Sequence, residues 1–167
     1  MATSRTPEYT RLLFENERYA EQFDRSRLHG GPLSGLAILT CMDARLDPCE
    51  MLGLRPGDAH VIRNAGGLAT EDAIRSLVVS QQALGTHEVI VIGHTGCGML
   101  KFPEESFKRQ LTAQTGRRLD LRFQGFEDLE SNVRTQVERI RSHPWMKPVP
   151  VHGLIYDVNS GRLREVV

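Results

Sequence analysis

Five residues whose side chains can do chemistry lie in two short stretches of the chain. The stretch CMDAR places Cys41, Asp43 and Arg45 at every second position, and the stretch GHTGCGM carries His94 and Cys97. Two thiolates and an imidazole suit Zn²⁺, which takes sulfur and nitrogen ligands. Because catalytic zinc sites keep one position for water and three ligands are evident, the pattern predicts an open zinc site on Cys41, His94 and Cys97.

The elements that precede these stretches predict that the two sets of side chains meet. Residues 36–40 (LAILT) and 88–93 (EVIVIG) are short apolar runs typical of buried strands, the second of a parallel one. Cys41 follows the first run directly, and His94 follows the second. Ligands of such sheets bind beyond the carboxyl ends of the strands, so we expect one shared site there.

Each ligand also has a simpler interpretation. A single cysteine after a strand is more often a small buried hydrophobic residue than a ligand, and His-x-x-Cys alone is a weak pattern. The joint placement, and glycines at positions 93, 96 and 98 that let the backbone curl, favour metal binding. Cys49 has no His or Cys beside it, so we interpret it as a core residue and not as a ligand.

Asp43 and Arg45 are the candidate catalytic residues. As a surface ion pair they would contribute little. Beside a metal, Asp43 can reach the open coordination position or accept a proton from water there, and Arg45, on the same side of an extended stretch, can hold its carboxylate in a bidentate fork. If Asp43 became a fourth ligand the site would be closed, and if Arg45 held it the site would be open.

The other histidines form no second cluster with metal-ligand spacing. They occur singly among loops and strand starts, where exposure or a capping role is the expected function. These residues are His29, His60, His87, His143 and His152.

The order of elements predicts an α/β fold with a central, mostly parallel sheet flanked by helices. Residues 59–64 are predicted to form another strand, which lies between the two already named in sequence. The segment GLIYDVNSGRLREV predicts a C-terminal strand hairpin about Asn159-Ser160-Gly161. Predicted helices are a short one opened by Asp47 and Pro48, one between Thr70 and Gly85, and residues 103–116 and 126–143.

A further helix is predicted at the N-terminus, over residues 7–24, with Thr6 as cap and Pro7 at the first helical position. A loop over residues 29–35 separates it from the rest. We therefore expect a single domain over residues 1–167, in which residues 1–28 form an N-terminal helical arm and residues 34–166 form the core. The apolar anchors of the arm are Tyr9, Leu12, Leu13, Tyr19 and Phe23.

Composition argues against several partners. Lys plus Arg and Asp plus Glu are balanced at 21 each without a like-charge block, so we expect no binding to nucleic acid. The N-terminus lacks the apolar core of a signal peptide, and no apolar run approaches the roughly 20 residues that cross a bilayer. Three cysteines, an odd number, do not make a disulfide framework. We therefore expect a cytoplasmic protein that does not bind membranes.

Taken together, CMDAR (41–45), RNAGG (63–67) and HTGCGM (94–99) resemble the β-class carbonic anhydrases. The resemblance extends over about residues 34–166, and the short chain is similar to the compact microbial members. It implies zinc bound by Cys41, His94 and Cys97, with Asp43 and Arg45 as the catalytic pair. The implied activity is reversible hydration of carbon dioxide to bicarbonate by a zinc-bound hydroxide.

The same resemblance implies an assembly and a role for the glycines near the metal. Members of the family are homodimers or dimers of dimers, in which the N-terminal arm lies across the partner. Gly66 and Gly67 match the family loop in which small residues let the backbone approach the site.

Three other functions stay open at this stage. A hydrolase of the same fold acting on carbon disulfide or carbonyl sulfide would need a narrower, more apolar entrance. A non-catalytic zinc-binding regulatory protein would have a site closed permanently by Asp43. A thiol redox protein is disfavoured because the chain has no C-x-x-C motif. The presence of both Asp43 and Arg45 favours the enzyme.

Overall fold

A computed structural model, which describes residues 6–25 and 28–167, shows strands and helices alternating around one sheet. In chain order the elements are α1 (Pro7–Glu21), β1 (Leu36–Cys41), α2 (Pro48–Leu52), β2 (Ala59–Asn64), α3 (Glu71–Leu84), β3 (Glu88–His94), α4 (Glu104–Thr115), α5 (Leu129–Arg141), β4 (Val151–Tyr156) and β5 (Leu163–Glu165). The strand order is β2-β1-β3-β4-β5. Strands β1 to β4 pair in parallel and β5 runs antiparallel to β4, which confirms the predicted α/β fold.

The buried core lies between the sheet and helices α3 and α5. Alternate residues of the central strands point to these helices, because side chains of a strand alternate between the two faces. The two helices pack against these strand residues with apolar side chains at helical spacing. The buried residues of this cluster are Ala37, Leu39, Ala69, Ala73, Ile74, Leu77, Val89, Val91, Val137, Ile140 and Val151.

Side-chain caps begin the helices where the sequence predicted them. Thr6 accepts a hydrogen bond from the backbone N–H of Tyr9, and Thr70 does the same for Ala73. Helix α3 ends at Gly85, whose φ of 81° is a left-handed conformation that suits glycine. Among the helices of the described residues, none has the length and apolar composition needed to span a membrane.

Two details differ from the sequence predictions. Helix α5 begins at Leu129 and not near residue 126, because Asp128 caps it and Phe126 pairs with Leu100 in a parallel bridge. Helix α1 ends at Glu21 and not at residue 24, where the sequence predicted its end. The first difference places an aromatic residue beside the site described below.

Helix α1 packs on nothing in the described part of the chain. None of its residues is buried, although six large apolar side chains lie on it or directly after it. Residues 1–5, 26 and 27 of the predicted arm lie outside the described residues. The exposed side chains are Tyr9, Leu12, Leu13, Phe14, Tyr19 and Phe23.

The Gly93→Ala variant is expected to lose about 1–3 kcal/mol of unfolding free energy, because a β-carbon at this strand position overpacks the core. An ideal Cβ at Gly93 would lie 2.7 Å from Val133 and 3.1 Å from Leu129, both on α5. Gly98→Ala is the matched control, since a Cβ there meets nothing within 4 Å. Denaturant titration measures both changes. Equal stability of the two variants would contradict the packing argument.

Candidate metal and active site

The strand ends bring the predicted ligands to one edge of the sheet. Cys41 is the last residue of β1 and His94 is the last residue of β3, so both belong to the strands and do not merely follow them. These strands are parallel neighbours. The chain proceeds from β1 to β2 on one side and from β3 to β4 on the other, so a crevice forms between their carboxyl ends.

Cys41, His94 and Cys97 converge in this crevice. One ligand atom from each lies within 4.8 Å of the others, and all three residues are buried. The two sulfur atoms are 4.0 Å apart. Tetrahedral zinc with Zn–S bonds of about 2.3 Å requires about 3.8 Å between two sulfurs. The donor set and its spacing therefore fit a zinc ion.

The imidazole of His94 is oriented for a metal. Its Nδ1 lies 3.0 Å from the carbonyl oxygen of Thr95, so Nδ1 carries the proton and donates it. Its Nε2 is buried and has no hydrogen-bond partner among the described residues. An unpartnered nitrogen in the interior is costly, and a metal ion at the centre of the three ligands accounts for it.

The two thiols perturb each other strongly. The hydrogen bond from the Cys97 thiol, helped by His94 and the backbone N–H of Gly66, lowers the pKa of Cys41 to about 4. The Cys41 thiolate, together with burial, raises the pKa of Cys97. Burial opposes a charge on His94, but the neighbouring thiolate outweighs it and raises its pKa. The lowered pKa favours the thiolate form of Cys41, which is the form that binds metals.

Asp43 is held by Arg45 at the edge of the site. Arg45 donates from Nε and Nη2 to the two carboxylate oxygens at 2.9 and 2.7 Å, and its backbone N–H donates at 3.0 Å. These bonds lower the pKa of Asp43 well below its usual range. The pairing arises from a turn, in which the Leu46 N–H bonds the Asp43 carbonyl, and not from the extended stretch predicted.

The position of Asp43 corresponds to the open arrangement. Its Oδ2 lies 3.8 Å from Nε2 of His94, and the carboxylate is not part of the converging group of ligand atoms. Nη2 of Arg45 also donates to the carbonyl oxygen of Gly96 at 3.0 Å. Arg45 thus ties Asp43 to the loop that carries Cys97.

Strand β2 and the loop after it reach the candidate metal ligands, the strand with one side chain that sequence reasoning missed and the loop with its backbone. Arg63 donates to the carbonyl oxygens of Cys41 and Asp43 at 3.0 and 2.8 Å. The N–H of Gly66 lies 3.4 Å from the Cys41 sulfur. Gly67 has a φ of 63°, and an added Cβ would lie 3.0 Å from the Thr40 backbone. The predicted close approach of this loop is therefore present.

The predicted role of the glycines around His94 holds at one position of three. Gly96 has a φ of 62° and supplies the curl of the loop. Gly93 and Gly98 are absent from the positive-φ residues of the described chain. Gly93 is required by the packing of α5, as described above, and Gly98 has open space around it.

An apolar wall, which the sequence did not reveal, lies against the ligands. Glu104 fixes part of it by accepting hydrogen bonds from the backbone N–H groups of Phe123 and Gln124. Most of these residues come from loops, where no periodic pattern identifies them. Packed against the buried Cys41, Leu46, Cys97 and Met99 are Met51, Ala65, Phe102, Phe123, Phe126, Tyr156 and Val158.

Cys49 and the other histidines lie outside the converging group. Cys49 is half-buried near the start of α2, so it is less buried than the predicted core residue. His60 bonds Ser80 and the Gly30 carbonyl, and His152 pairs with Glu88. His60 and His152 both lie at strand starts, as the sequence predicted. The remaining positions are His29, His87 and His143.

Comparisons with known proteins agree with this geometry. The sequence profile of the family described as carbonic anhydrase matches residues 36–120. Beta-carbonic anhydrase 1 of Mycobacterium tuberculosis is 44% identical over 155 residues, which are 92% of this chain and 94% of that protein. The crystal structure of the carbonic anhydrase from Streptococcus mutans is similar with a TM-score of 0.91 and 39% identity, covering 98% of this chain and 99% of that one.

A relative with a different named activity is also similar. The carbon disulfide hydrolase of Saccharolobus solfataricus is 34% identical over 177 residues, 90% of this chain and 87% of that protein. This hydrolase is a relative of the same fold, and its identity to this chain is lower than that of the mycobacterial protein.

Proposed function

The chain belongs to the β-class carbonic anhydrases, lyases that hydrate carbon dioxide reversibly to bicarbonate, and we propose that it acts through zinc held by Cys41, His94 and Cys97. One observation carries this proposal. The two sulfurs and a ring nitrogen of His94 lie within 4.8 Å of one another, and Nε2 of this ring is buried without a hydrogen-bond partner in the described chain. Thiolate and imidazole ligands suit zinc better than magnesium or calcium, which prefer oxygen.

The chain's own residues prepare the site for this ion. The Thr95 carbonyl fixes the tautomer of His94, and the lowered pKa of Cys41 favours the thiolate form that a metal binds. Zinc in such a site supplies a Lewis acid that lowers the pKa of bound water toward neutrality, which is an established property of carbonic anhydrases. The apolar wall offers carbon dioxide a surface with few competing polar groups.

We propose that Asp43 and Arg45 are the catalytic pair. The lowered pKa keeps Asp43 ionised, so its carboxylate can only accept hydrogen bonds near neutral pH. Because Arg45 holds it beside Nε2 of His94, the carboxylate would accept a hydrogen bond from a water molecule next to the three candidate ligands and so would orient that water. The hydrogen bonds from Arg45 would also keep the carboxylate from becoming a fourth ligand itself.

Removal of the metal tests the proposed function. Protein stripped with a zinc chelator is expected to lose at least about 10³-fold in hydration rate, because Lewis-acid stabilisation contributes several kcal/mol. Addition of about one zinc per chain should restore the rate, whereas magnesium should not. Stopped-flow hydration of carbon dioxide on metal-analysed samples measures both. Full activity of zinc-free protein would contradict the proposal.

Carbon disulfide hydrolysis is the second candidate, and the named archaeal relative is the observation that favours it. Carbonic anhydrase activity ranks first because the mycobacterial relative is more similar, at 44% against 34% identity. Parallel assays with the two substrates separate them. Faster turnover of carbon disulfide than of carbon dioxide would reverse the order.

We further propose that the protein is at least a homodimer, with α1 docked on a second copy. The apolar side chains of α1 stand about half exposed, as Leu12 at 52% and Tyr19 at 49% illustrate. Such a surface is unfavourable in water and typical of an interface. A dimer of dimers is the alternative assembly.

The Leu12→Glu variant is expected to raise the dimer dissociation constant at least about tenfold, since a charge in an apolar interface costs more than about 1.4 kcal/mol. Thr10→Glu is the control, because it adds the same charge elsewhere on the exposed helix. Sedimentation equilibrium measures both. A wild-type protein that stays an active monomer at micromolar concentration would contradict the proposed dimer.

The proposed location is the cytoplasm. The described chain holds Cys41, Cys49 and Cys97 as free cysteines, and thiolate ligands need a reducing compartment to stay reduced. Cell fractionation tests this, and recovery of the protein only from an oxidising compartment would contradict it.

A further inference from the structure

We propose that Arg63 is a positioning residue, which sets zinc affinity and turnover by fixing the backbone that carries Cys41 and Asp43. The inference rests on the proposed function, because it takes these two residues as a zinc ligand and a catalytic group. The observation behind it does not depend on that function. The guanidinium of Arg63, on the neighbouring strand, donates hydrogen bonds to main-chain carbonyls on both sides of Met42.

The sheet ladder fixes only the start of this segment. The pairing between β1 and β2 ends at Cys41 and Asn64, and beyond it the chain turns at residues 43–46. Among the backbone–backbone hydrogen bonds of the described residues, the bond from the Met42 N–H to the Asn64 carbonyl at 2.9 Å is the one that continues this pairing. Arg63 adds the bonds from Nε to the Cys41 carbonyl and from Nη2 to the Asp43 carbonyl.

Both functional side chains depend on the carbonyls that Arg63 holds. The Cys41 sulfur must stay about 4 Å from that of Cys97, and the Asp43 carboxylate must stay beside Nε2 of His94. A rotation of the peptide after Cys41 or of the peptide after Asp43 would change the backbone angle at that residue and so would shift its side chain relative to the rest of the site. Displacements of about 1 Å at a reacting group can cost about 10²-fold in rate.

The chemistry of arginine suits this task. Its rigid fork presents Nε and Nη2 in one plane, so it holds two acceptors in a fixed relation, whereas lysine offers one flexible point of charge. Within the described residues Arg63 forms no ion pair with a carboxylate, unlike Arg45 with Asp43. Its hydrogen bonds to the two carbonyls are the contacts that the structure shows for its guanidinium.

The test compares Arg63→Met and Arg63→Lys with Arg75→Met, which removes an exposed arginine paired to Asp72 on α3. The readouts are the zinc dissociation constant from chelator competition, kcat at saturating zinc, and the visible spectrum of the cobalt-substituted protein. Loss of an outer partner of a metal site typically costs about 10- to 100-fold in affinity or activity. We expect a loss of this size in zinc affinity and about tenfold in kcat for Arg63→Met, and an altered cobalt spectrum.

Arg63→Lys should recover part of both losses, and Arg75→Met should match the wild type within about twofold. Should Arg63→Met fail to fold, Arg63→Lys alone decides, with weakened zinc binding expected. Wild-type zinc affinity, kcat and cobalt spectrum in a folded Arg63 variant, even one of lower melting temperature, would overturn the inference. Zinc affinity and the cobalt spectrum do not require turnover, so a wild type that binds zinc but hydrates no carbon dioxide refutes only the proposed function.

Discussion

Cys97→Ser is expected to leave the protein with less than about a tenth of a zinc ion per chain and to lower hydration of carbon dioxide at least about 10³-fold. A serine hydroxyl is not ionised near neutral pH, so only Cys41 and His94 would remain as ligands. Metal analysis and stopped-flow assays measure the two losses. The backbone should stay folded, because the thiol-to-hydroxyl change removes little volume from a site that the two strands already position.

Cys49→Ser is the matched control for this experiment. It makes the same chemical change in a half-buried cysteine of α2 that does not belong to the converging group. Zinc content and activity should both stay near the wild-type values. Full zinc retention in Cys97→Ser, or loss of zinc in Cys49→Ser, would show that the ligand set is wrong.

Arg45→Ala and Asp43→Asn are expected to lower kcat/KM by about 10²- to 10³-fold while zinc stays bound. The asparagine side chain would keep the shape of the aspartate. It would offer one acceptor oxygen and one amide donor in place of the two acceptor oxygens of the carboxylate. Loss of the Arg45 side chain would remove two of the three hydrogen bonds to the carboxylate and the tie to the Gly96 carbonyl, whereas the backbone N–H of residue 45 would remain. Both changes remove orientation and leave the ligands in place.

The pKa of Asp43 indicates whether the loss of activity in Arg45→Ala comes from lost orientation of the carboxylate or from a change in its protonation. Arg45 depresses it, so removing Arg45 should let it rise toward the ordinary value of 3.8. The carboxylate remains ionised well above either value. The loss in Arg45→Ala should therefore be the same at about pH 7 and about pH 9, since Asp43 is charged at both. Arg75→Ala, which breaks an exposed pair with Asp72, is the control and should change nothing.

Two outcomes would contradict the assigned roles of this pair. Full activity in Arg45→Ala would show that the fork does not position Asp43. Loss of zinc in Asp43→Asn would show instead that the carboxylate supports the metal directly, as in a closed site.

The convergence of the ligands could be predicted because it follows from strand order and period alone. Two apolar runs identified β1 and β3, and parallel neighbours end at the same edge, so Cys41 and His94 had to meet there. The residues that orient these ligands gave no such signal. Arg63 acts through backbone carbonyls of another strand, and no sequence spacing reveals a contact between a side chain and a distant main chain.

Local geometry was predicted less well where tertiary contacts decide it. The pairing of Asp43 with Arg45 was expected from an extended stretch, but a turn produces it. Gly93 was expected to let the backbone curl, whereas the structure requires glycine there because Val133 approaches closely. Phe102, Phe123 and Phe126 of the apolar wall lie in loops. Loops have no hydrophobic periodicity from which these residues could have been predicted.

The most direct test of the central claim is X-ray absorption at the zinc edge of the purified protein, combined with its metal content. The proposed site predicts about one zinc per chain, with two sulfurs at about 2.3 Å, one imidazole nitrogen at about 2.0 Å and one oxygen ligand. In Cys97→Ser the sulfur shell should disappear together with the metal. Protein that is active in carbon dioxide hydration without zinc, or zinc whose shell contains no sulfur, would contradict the account.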